Sequence, residues 1–289
     1  MKPAAFRYHQ PRTLEEALDL LAKHGEAARP IAGGQSLVPM MNLRMAQPAE
    51  LVDLCALEGL RTLREVDGWL EIGAMVRHHD IETSPLVAVR CPLLAQVAGT
   101  IGHYAIRQRG TMGGSLAHAD PAAQWPLLAL TLQAELNLVG PRGRRRVAAR
   151  DFNLGLMTTA LQADELLESV RFPVCAPGEG GGFQCFARRA GDFAIVAAAV
   201  SLRIERGAVS RLRLGLGGVA PVPQDLDDLA RAQLGCRVDA AWAAHVGAQA
   251  RDAVDVPEDA RIPAVYRKEL IETMVTRALN DAIAHTGKS

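Results

Sequence analysis

"AIRQRGTMGGSLAHADPAAQWP" spans Ala105 to Pro126 and sets Thr111, Met112, Gly113, Gly114, Ser115, His118 and Asp120 within ten residues, between two apolar stretches. A near-copy of its centre, "AGGQSL", spans Ala32 to Leu37, about eighty residues earlier. Two adjacent glycines remove the steric limits of Cβ and let backbone N–H groups turn toward one point. A concave row of N–H groups binds an anion, typically a phosphate. Ser36, Thr111 and Ser115 add hydroxyl donors. Two such loops, each after an apolar element, can close on one pyrophosphate from both sides, as a dinucleotide needs. Neither loop is GxGxxG or GxxxxGK, which excludes a Rossmann or P-loop reading on residue type. One Gly-Gly pair alone leaves a plain tight turn and an anion site both open.

The remaining composition bounds the class. The chain has 289 residues, enough for one large domain or two. Apolar residues make up 49% and charged residues 22%, which sets it among globular chains. Lys plus Arg equals Asp plus Glu at 32 each, so no global charge calls for nucleic acid or an anionic membrane. No signal peptide opens the chain and no run of eighteen apolar residues occurs. Cys55, Cys91, Cys175, Cys185 and Cys236 form no CxxC pair. That argues against zinc or an iron–sulfur cluster here and fits buried thiols in a reducing cytoplasm.

Along the chain, "RTLEEALDLLAKHG" predicts a helix with Thr13 as cap, Glu16 at the capping-box position and Leu14, Leu18 and Leu21 on one face. "ARPIAGG" predicts a short buried strand running into the first glycine turn; "ELVDL" and "GWLEIGAM" predict further strands. "MVRHHDIETS" and "CPLLAQVAGTIG" are helical, and a helix is expected from Pro121 to Thr131, directly after Asp120. "AELNLVG" and "RRRVAARDF" predict a hairpin around "PRG", and "ELLESVRFP" another strand. The breaker-rich "PVCAPGEGGG", Pro173 to Gly182, predicts a boundary or linker. Beyond it come two long strands joined at Arg206–Gly207, then three amphipathic helices. The order implies two units divided near residue 176.

"AGGQSL", "IGAMVRHHDIE", "AIRQRGTMGGSLAHADPAAQWP", "ARRAGDFAIVAAAV" and "YRKELIETMVTRAL" occur in order over essentially the whole chain. Together they resemble the FAD-binding medium subunit of molybdenum hydroxylases, the carbon-monoxide-dehydrogenase/xanthine-dehydrogenase family in its split, three-subunit form. The resemblance implies an α+β fold: an FAD-binding domain of the vanillyl-alcohol-oxidase (PCMH) type over 1–176, with subdomains of about 1–57 and 58–176. A smaller α+β C-terminal domain would cover 177–289. It implies FAD contacts from Ala32, Gly33, Gly34, Gln35, Ser36 and Leu37 in the first loop, and from Thr111, Met112, Gly113, Gly114 and Ser115 in the second. It adds His118, Asp120 and Gln124 from the segment after the second loop, Leu161 and the stretch Asp164 to Leu167 near the flavin and adenine side, and Phe193 near the isoalloxazine ring. Two positions depart from the pattern: Gln108 replaces an Asn of "IRNRGT" and Gln124 an Asp of "ADPAAD". A Gln still accepts a hydrogen bond from a ribityl or ribose hydroxyl but brings no charge.

The resemblance further implies a small subunit with two 2Fe–2S clusters and a large subunit with molybdopterin-bound molybdenum, assembled as a dimer of heterotrimers in the cytoplasm. Electrons would pass through the clusters to FAD and on to an external acceptor. The reacting atoms belong to the cofactor, so no catalytic side chain is expected. The alternatives are a self-contained flavin oxidoreductase of this fold and a flavin-free scaffold. His118 and Asp120 are too few ligands for a metal site, His78 and His79 diverge as neighbours, and no metal site is expected. A Ser115–His118–Asp120 triad is rejected because triads are rarely so local in sequence. "RGRRR", Arg142 to Arg146, reads as a solvated hairpin or a docking edge, and Trp69, Trp125 and Trp242 as packing residues.

Overall fold

A computed structural model describes residues 2–287. The chain begins with β1 (Arg7–His9), α1 (Leu14–His24), β2 (Ala28–Ile31), α2 (Leu37–Asn42) and β3 (Glu50–Asp53). β3 lies between β1 and β2 and runs parallel to both. Thr13 caps α1 by accepting from the Glu16 N–H at 3.2 Å, and the Glu16 carboxylate accepts from the Arg12 N–H at 2.7 Å. The box therefore closes one residue earlier than the sequence spacing predicts. Ala17 and Leu21 of α1 are fully buried against Ala28, Val52 and Leu54. Only Ala28 of β2 is buried, so this strand is half-buried rather than buried.

Next come β4 (Leu63–Val66), β5 (Trp69–Gly73), α3 (His78–Thr83), α4 (Pro85–Arg90), α5 (Pro92–Ala98), α6 (Tyr104–Arg107), α7 (Met112–His118) and α8 (Gln124–Thr131). They are followed by β6 (Glu135–Gly140), β7 (Gly143–Ala148), β8 (Asn153–Gly155), β9 (Thr158–Thr159) and β10 (Leu166–Pro173). A five-stranded antiparallel sheet has the order β4-β5-β10-β6-β7. α8 starts three residues later than expected. Ala119 takes a left-handed conformation and the Asp120 carboxylate accepts from the Ala122 N–H at 2.8 Å. Asp120 thus closes a turn on its own backbone and delays the helix. All eight residues of α8 are buried.

The last unit comprises β11 (Glu179–Phe186), β12 (Val196–Glu205), β13 (Ala208–Gly217), β14 (Gln224–Asp225), α9 (Asp227–Ala232), α10 (Trp242–Ala253) and α11 (Ala264–His285). β12 is buried continuously from Val196 to Leu202 because both sheet faces are covered. Ala197 and Ala199 join the core of α8 and Phe183, while Val196, Ala198, Val200 and Leu202 face the core of α10 and α11. Gly180, Gly181 and Gly182 of "GEGGG" are strand, not linker: only 174–178, which includes Gly178, connects β10 to β11. A Cβ on Gly182 would lie 1.9 Å from the Ala278 carbonyl oxygen, and one on Gly180 2.1 Å from that of Ala282. These glycines let α11 approach the sheet backbone. The cysteines also differ from expectation, since Cys91 is buried but Cys55 and Cys236 are exposed. The turn after β3 directs Cys55 outward: its N–H donates to the Asp53 carboxylate and its thiol to the Ala32 carbonyl. No helix among the described residues is long and apolar enough to cross a membrane.

One buried polar pair ties α3 to α8. Trp125 Nε1 donates to His78 Nδ1 at 3.0 Å, so neutral His78 carries its proton on Nε2. The His78 N–H donates to the Gly110 carbonyl at 3.0 Å. Burial, helped by the nearby Arg107 charge, pushes the His78 pKa from 6.5 down to about 4.

Gly182→Val is expected to lower the unfolding free energy by about 2–4 kcal/mol through overpacking at α11. Urea denaturation checks it, and an unchanged midpoint rejects the close-approach account. The unfolded chain protonates His78 near pH 6.5 and the folded chain only near 4. Stability is thus complete above pH 6.5 and declines as pH falls toward 4. Its share of the loss between pH 7 and 5 is about 2 kcal/mol. Unfolding curves at the two pH values should show this component, and the His78→Gln variant should lack it.

Candidate functional site

β2 ends at Ile31, whose carbonyl accepts from the Leu54 N–H at 3.0 Å, and the chain then runs free through Ala32 to Ser36 before α2. Gly34 sits at φ 70°, the left-handed region that glycine tolerates. The Gly34 and Ser36 carbonyls close the first turn of α2 by accepting from Val38 and Met40. Gln35 Nε2 donates to the Gly33 carbonyl at 2.9 Å. Among the described residues, no protein acceptor faces the N–H groups of Gly33, Gly34, Gln35 or Ser36. Four successive donors are thus open to a ligand or solvent.

The second loop is built differently. "TMGGS" is not a free turn but the cap and first turn of α7. The Thr111 hydroxyl accepts from the Gly114 N–H at 3.1 Å, and the Thr111 carbonyl from the Ser115 N–H. The Met112 and Gly113 N–H groups donate to the Val76 and Ala74 carbonyls, each at 2.9 Å. All four N–H groups expected to face a phosphate are therefore committed inside the protein. The hydroxyls of Thr111 and Ser115 remain as donors.

The two loops meet. A Cβ on Gly33 would lie 1.9 Å from the Arg109 carbonyl oxygen, and one on Gly114 3.4 Å from Ala32 Cβ. Ala32, Gly33, Gly110 and Gly114 form a seam that carries no side chain larger than a methyl group, with open donors from the first loop and the hydroxyls of Thr111 and Ser115 from the second. Gln108, just before the second loop, has a buried Nε2 with no partner. Unspent donors, hydroxyls and a bare backbone floor fit a diphosphate.

The other expected residues are distributed around this seam. Leu37 opens α2 and is half-buried. Met112, Gln124 and Leu167 are buried, with the side chains of Met112 and Leu167 in the central core. Leu161 packs against that core, and its N–H donates to the Thr159 hydroxyl at 3.3 Å. Phe193 is 57% exposed on the loop between β11 and β12. His118 is half-buried; burial lowers its pKa while Asp120 opposes the shift. Among the described residues, no hydrogen bond joins Ser115, His118 and Asp120. A cavity of about 610 Å³ is lined by Arg142, Arg144, Arg145, Ala160 and Glu165, and by no residue of either glycine loop. The arginines of "RGRRR" pair with Asp164, Glu168, Glu165 and Glu135, so the run is no free basic stripe. Sequence reasoning missed the commitment of the α7 donors; for Met112 and Gly113 the acceptors lie on the distant segment 74–76. The TMGGS pattern itself, a cap residue followed three positions later by an N–H at Gly114, held the only local signal.

Residues 4–175 match the family described as the FAD binding domain in molybdopterin dehydrogenase, and residues 182–282 the CO dehydrogenase flavoprotein C-terminal domain. The chain is 39% identical over 285 residues to the carbon monoxide dehydrogenase medium chain of Hydrogenophaga pseudoflava, covering 98% of this chain and 99% of that one. It is 38% identical to the 6-hydroxypseudooxynicotine dehydrogenase complex subunit alpha of Paenarthrobacter nicotinovorans, covering 98% and 96%. A solved structure of the Hydrogenophaga pseudoflava carbon monoxide dehydrogenase superposes with a TM-score of 0.96, covering 99% of this chain and all of that one. With both family matches in order and similarity over its full length, the chain belongs to the molybdenum hydroxylases as an FAD-binding medium subunit.

Proposed function

We propose that this subunit relays electrons from 2Fe–2S clusters of a small partner subunit to an external acceptor, in a complex whose large subunit carries the molybdenum cofactor. Full-length similarity to medium chains of multi-subunit oxidoreductases supports the partners. The observation that carries the reading is the row of N–H donors at Gly33, Gly34, Gln35 and Ser36 that no acceptor among the described residues takes up, in a loop that meets the second one at Gly33 and Ala32. Bound FAD takes up electrons singly and gives them up singly or in pairs. The chain's own residues bind and orient it. The first loop donates to the pyrophosphate; the second supplies its two hydroxyls and a floor into which no side chain intrudes. Asp120, held by the Ala122 N–H, keeps one carboxylate oxygen for a cofactor hydroxyl. Phe193 presents its ring at an accessible edge, where it would shield the isoalloxazine.

Gly114→Val sets a branched side chain against the Thr111 hydroxyl, 2.8 Å from the new Cβ, and against Ala32. FAD affinity should fall at least tenfold, about 1.4 kcal/mol, with an unchanged circular-dichroism spectrum. Full FAD retention would remove the second loop from the site. Affinity purification of the chain from its native host should bring down about four iron atoms and one molybdenum per FAD, the content of two 2Fe–2S clusters and one molybdenum centre in the assumed partners. Substrate oxidation by the isolated chain, without those metals, would reject the relay assignment.

A further inference from the structure

Three groups converge away from the glycine seam. His9 ends β1, His24 ends α1 and Glu50 opens β3. Glu50 is 2% exposed, yet its carboxylate sits among three basic side chains. Oε2 contacts His9 Nε2 at 2.7 Å, and Oε1 lies 3.7 Å from His24 Nδ1. Arg7 Nε donates to Oε1 at 2.8 Å, and Arg7 Nη2 donates to the same oxygen. The two imidazole rings lie 5.7 Å apart between centroids. One donor atom from each of His9, His24 and Glu50 lies within 4.8 Å of the other two.

We propose that His9 Nε2, His24 Nδ1 and the Glu50 carboxylate form a binding site for a divalent transition metal, with Zn²⁺ as the best fit. Two imidazoles and a carboxylate suit zinc. Metal–donor bonds of about 2.0–2.2 Å separate tetrahedral ligand atoms by about 3.3–3.6 Å. The two Glu50 contacts, at 2.7 and 3.7 Å, bracket that spacing, so His9 withdraws slightly and His24 closes. Both ligand nitrogens must be unprotonated, so His9 carries its proton on Nδ1 and His24 on Nε2. The competitor is Arg7. Its side chain is 74% exposed, so it can swing into solvent and free Oε1, leaving a fourth position for water. The metal would link β1, α1 and β3, the parallel layer from which the first glycine loop emerges. No local spacing announces the site, since its members are 15 and 26 residues apart.

The test uses the full-length chain, free of any affinity tag and stripped with chelator. ZnCl₂ is titrated calorimetrically, and CoCl₂ is followed by visible absorption as the spectroscopic probe. One Zn²⁺ per chain is expected, with a rise in Tm. His24→Ala, which removes only a loose contact, should weaken binding at least tenfold and abolish the Tm rise, with folding checked by circular dichroism. Arg7→Ala should tighten binding several-fold, because it releases Glu50 Oε1. That is the reverse of what a purely ionic cluster gives, where losing Arg7 only loosens the layer. Absent zinc binding, zinc uptake unchanged by His24→Ala, or binding weakened or unchanged by Arg7→Ala would each overturn the proposal. If His24→Ala does not fold, the Arg7→Ala titration decides alone.

Discussion

The structure depends on a backbone-to-backbone contact that no side chain could enter. At Gly33 the first loop comes so close to Arg109 and Gly110 that a Cβ would overlap a carbonyl oxygen. Everything on either side is arranged to hold that contact. The first loop leaves β2, which is fixed in a parallel layer by β3 and backed by the Ala17 and Leu21 face of α1. The second is stitched to the segment 74–78 by Met112, Gly113 and the carbonyl of Gly110. Beneath it, the buried His78–Trp125 bond fixes α3 to α8. Helix α8 in turn is walled by the central core on one side and by β12 and β13 on the other. The C-terminal unit therefore supports the seam at one remove, by closing the far face of the helix on which its buried clamp is mounted.

The two similar glycine motifs perform different tasks. The first spends its carbonyls on α2 and keeps its N–H groups open. The second spends its N–H groups on Thr111 and on residues 74–76 and keeps its hydroxyls. One is a donor row and the other a rigid, bare wall. This division also fits the departures at Gln108 and Gln124. Gln124 is buried at the start of α8, and Gln108 keeps an unpartnered buried Nε2 next to the wall. Neither residue interrupts the donor row, so loss of the carboxylate or the shorter amide changes the surroundings of the seam and not its donors.

Much of this was legible in the sequence where the determinant is local. Thr13 and Glu16 announce α1, the Arg206–Gly207 pair announces its hairpin, and the two Gly-Gly motifs announce the seam. The ordered motifs over the whole chain carried the family, and with it FAD. What could not be read locally is whatever depends on a partner distant in sequence. "GEGGG" looks like a linker until α11 is laid against it; only then do Gly180 and Gly182 become positions of helix–strand approach. A helix is expected directly after Asp120 until the Asp120 carboxylate is seen holding Ala122 and delaying the start to Gln124. The N–H groups of Met112 and Gly113 look free until Ala74 and Val76 arrive from β5 and its exit. His9, His24 and Glu50 carry no common spacing at all. In each case the type of residue was informative and its partner was not.

The coupling of layer and loop has a physical consequence for the order of the donor row. A donor row binds an anion well only if its N–H groups are already aligned before binding, since aligning them afterwards costs backbone entropy. In the second loop that ordering is built in by helix and β-type hydrogen bonds. In the first it comes from outside: from the Ile31–Leu54 bond at its start, the α2 turn at its end and the contact at Gly33. The start of the loop is therefore only as rigid as the parallel layer behind it, and β3 is the strand that unites that layer. Glu50 begins β3 in register with both Arg7 and Ala28, and its carboxylate is hydrogen-bonded to Arg7 and His9 of β1 and lies 3.7 Å from His24 of α1. Interactions at this one buried carboxylate are thus positioned to govern the order of a loop they do not touch, through the stiffness of the strands between them.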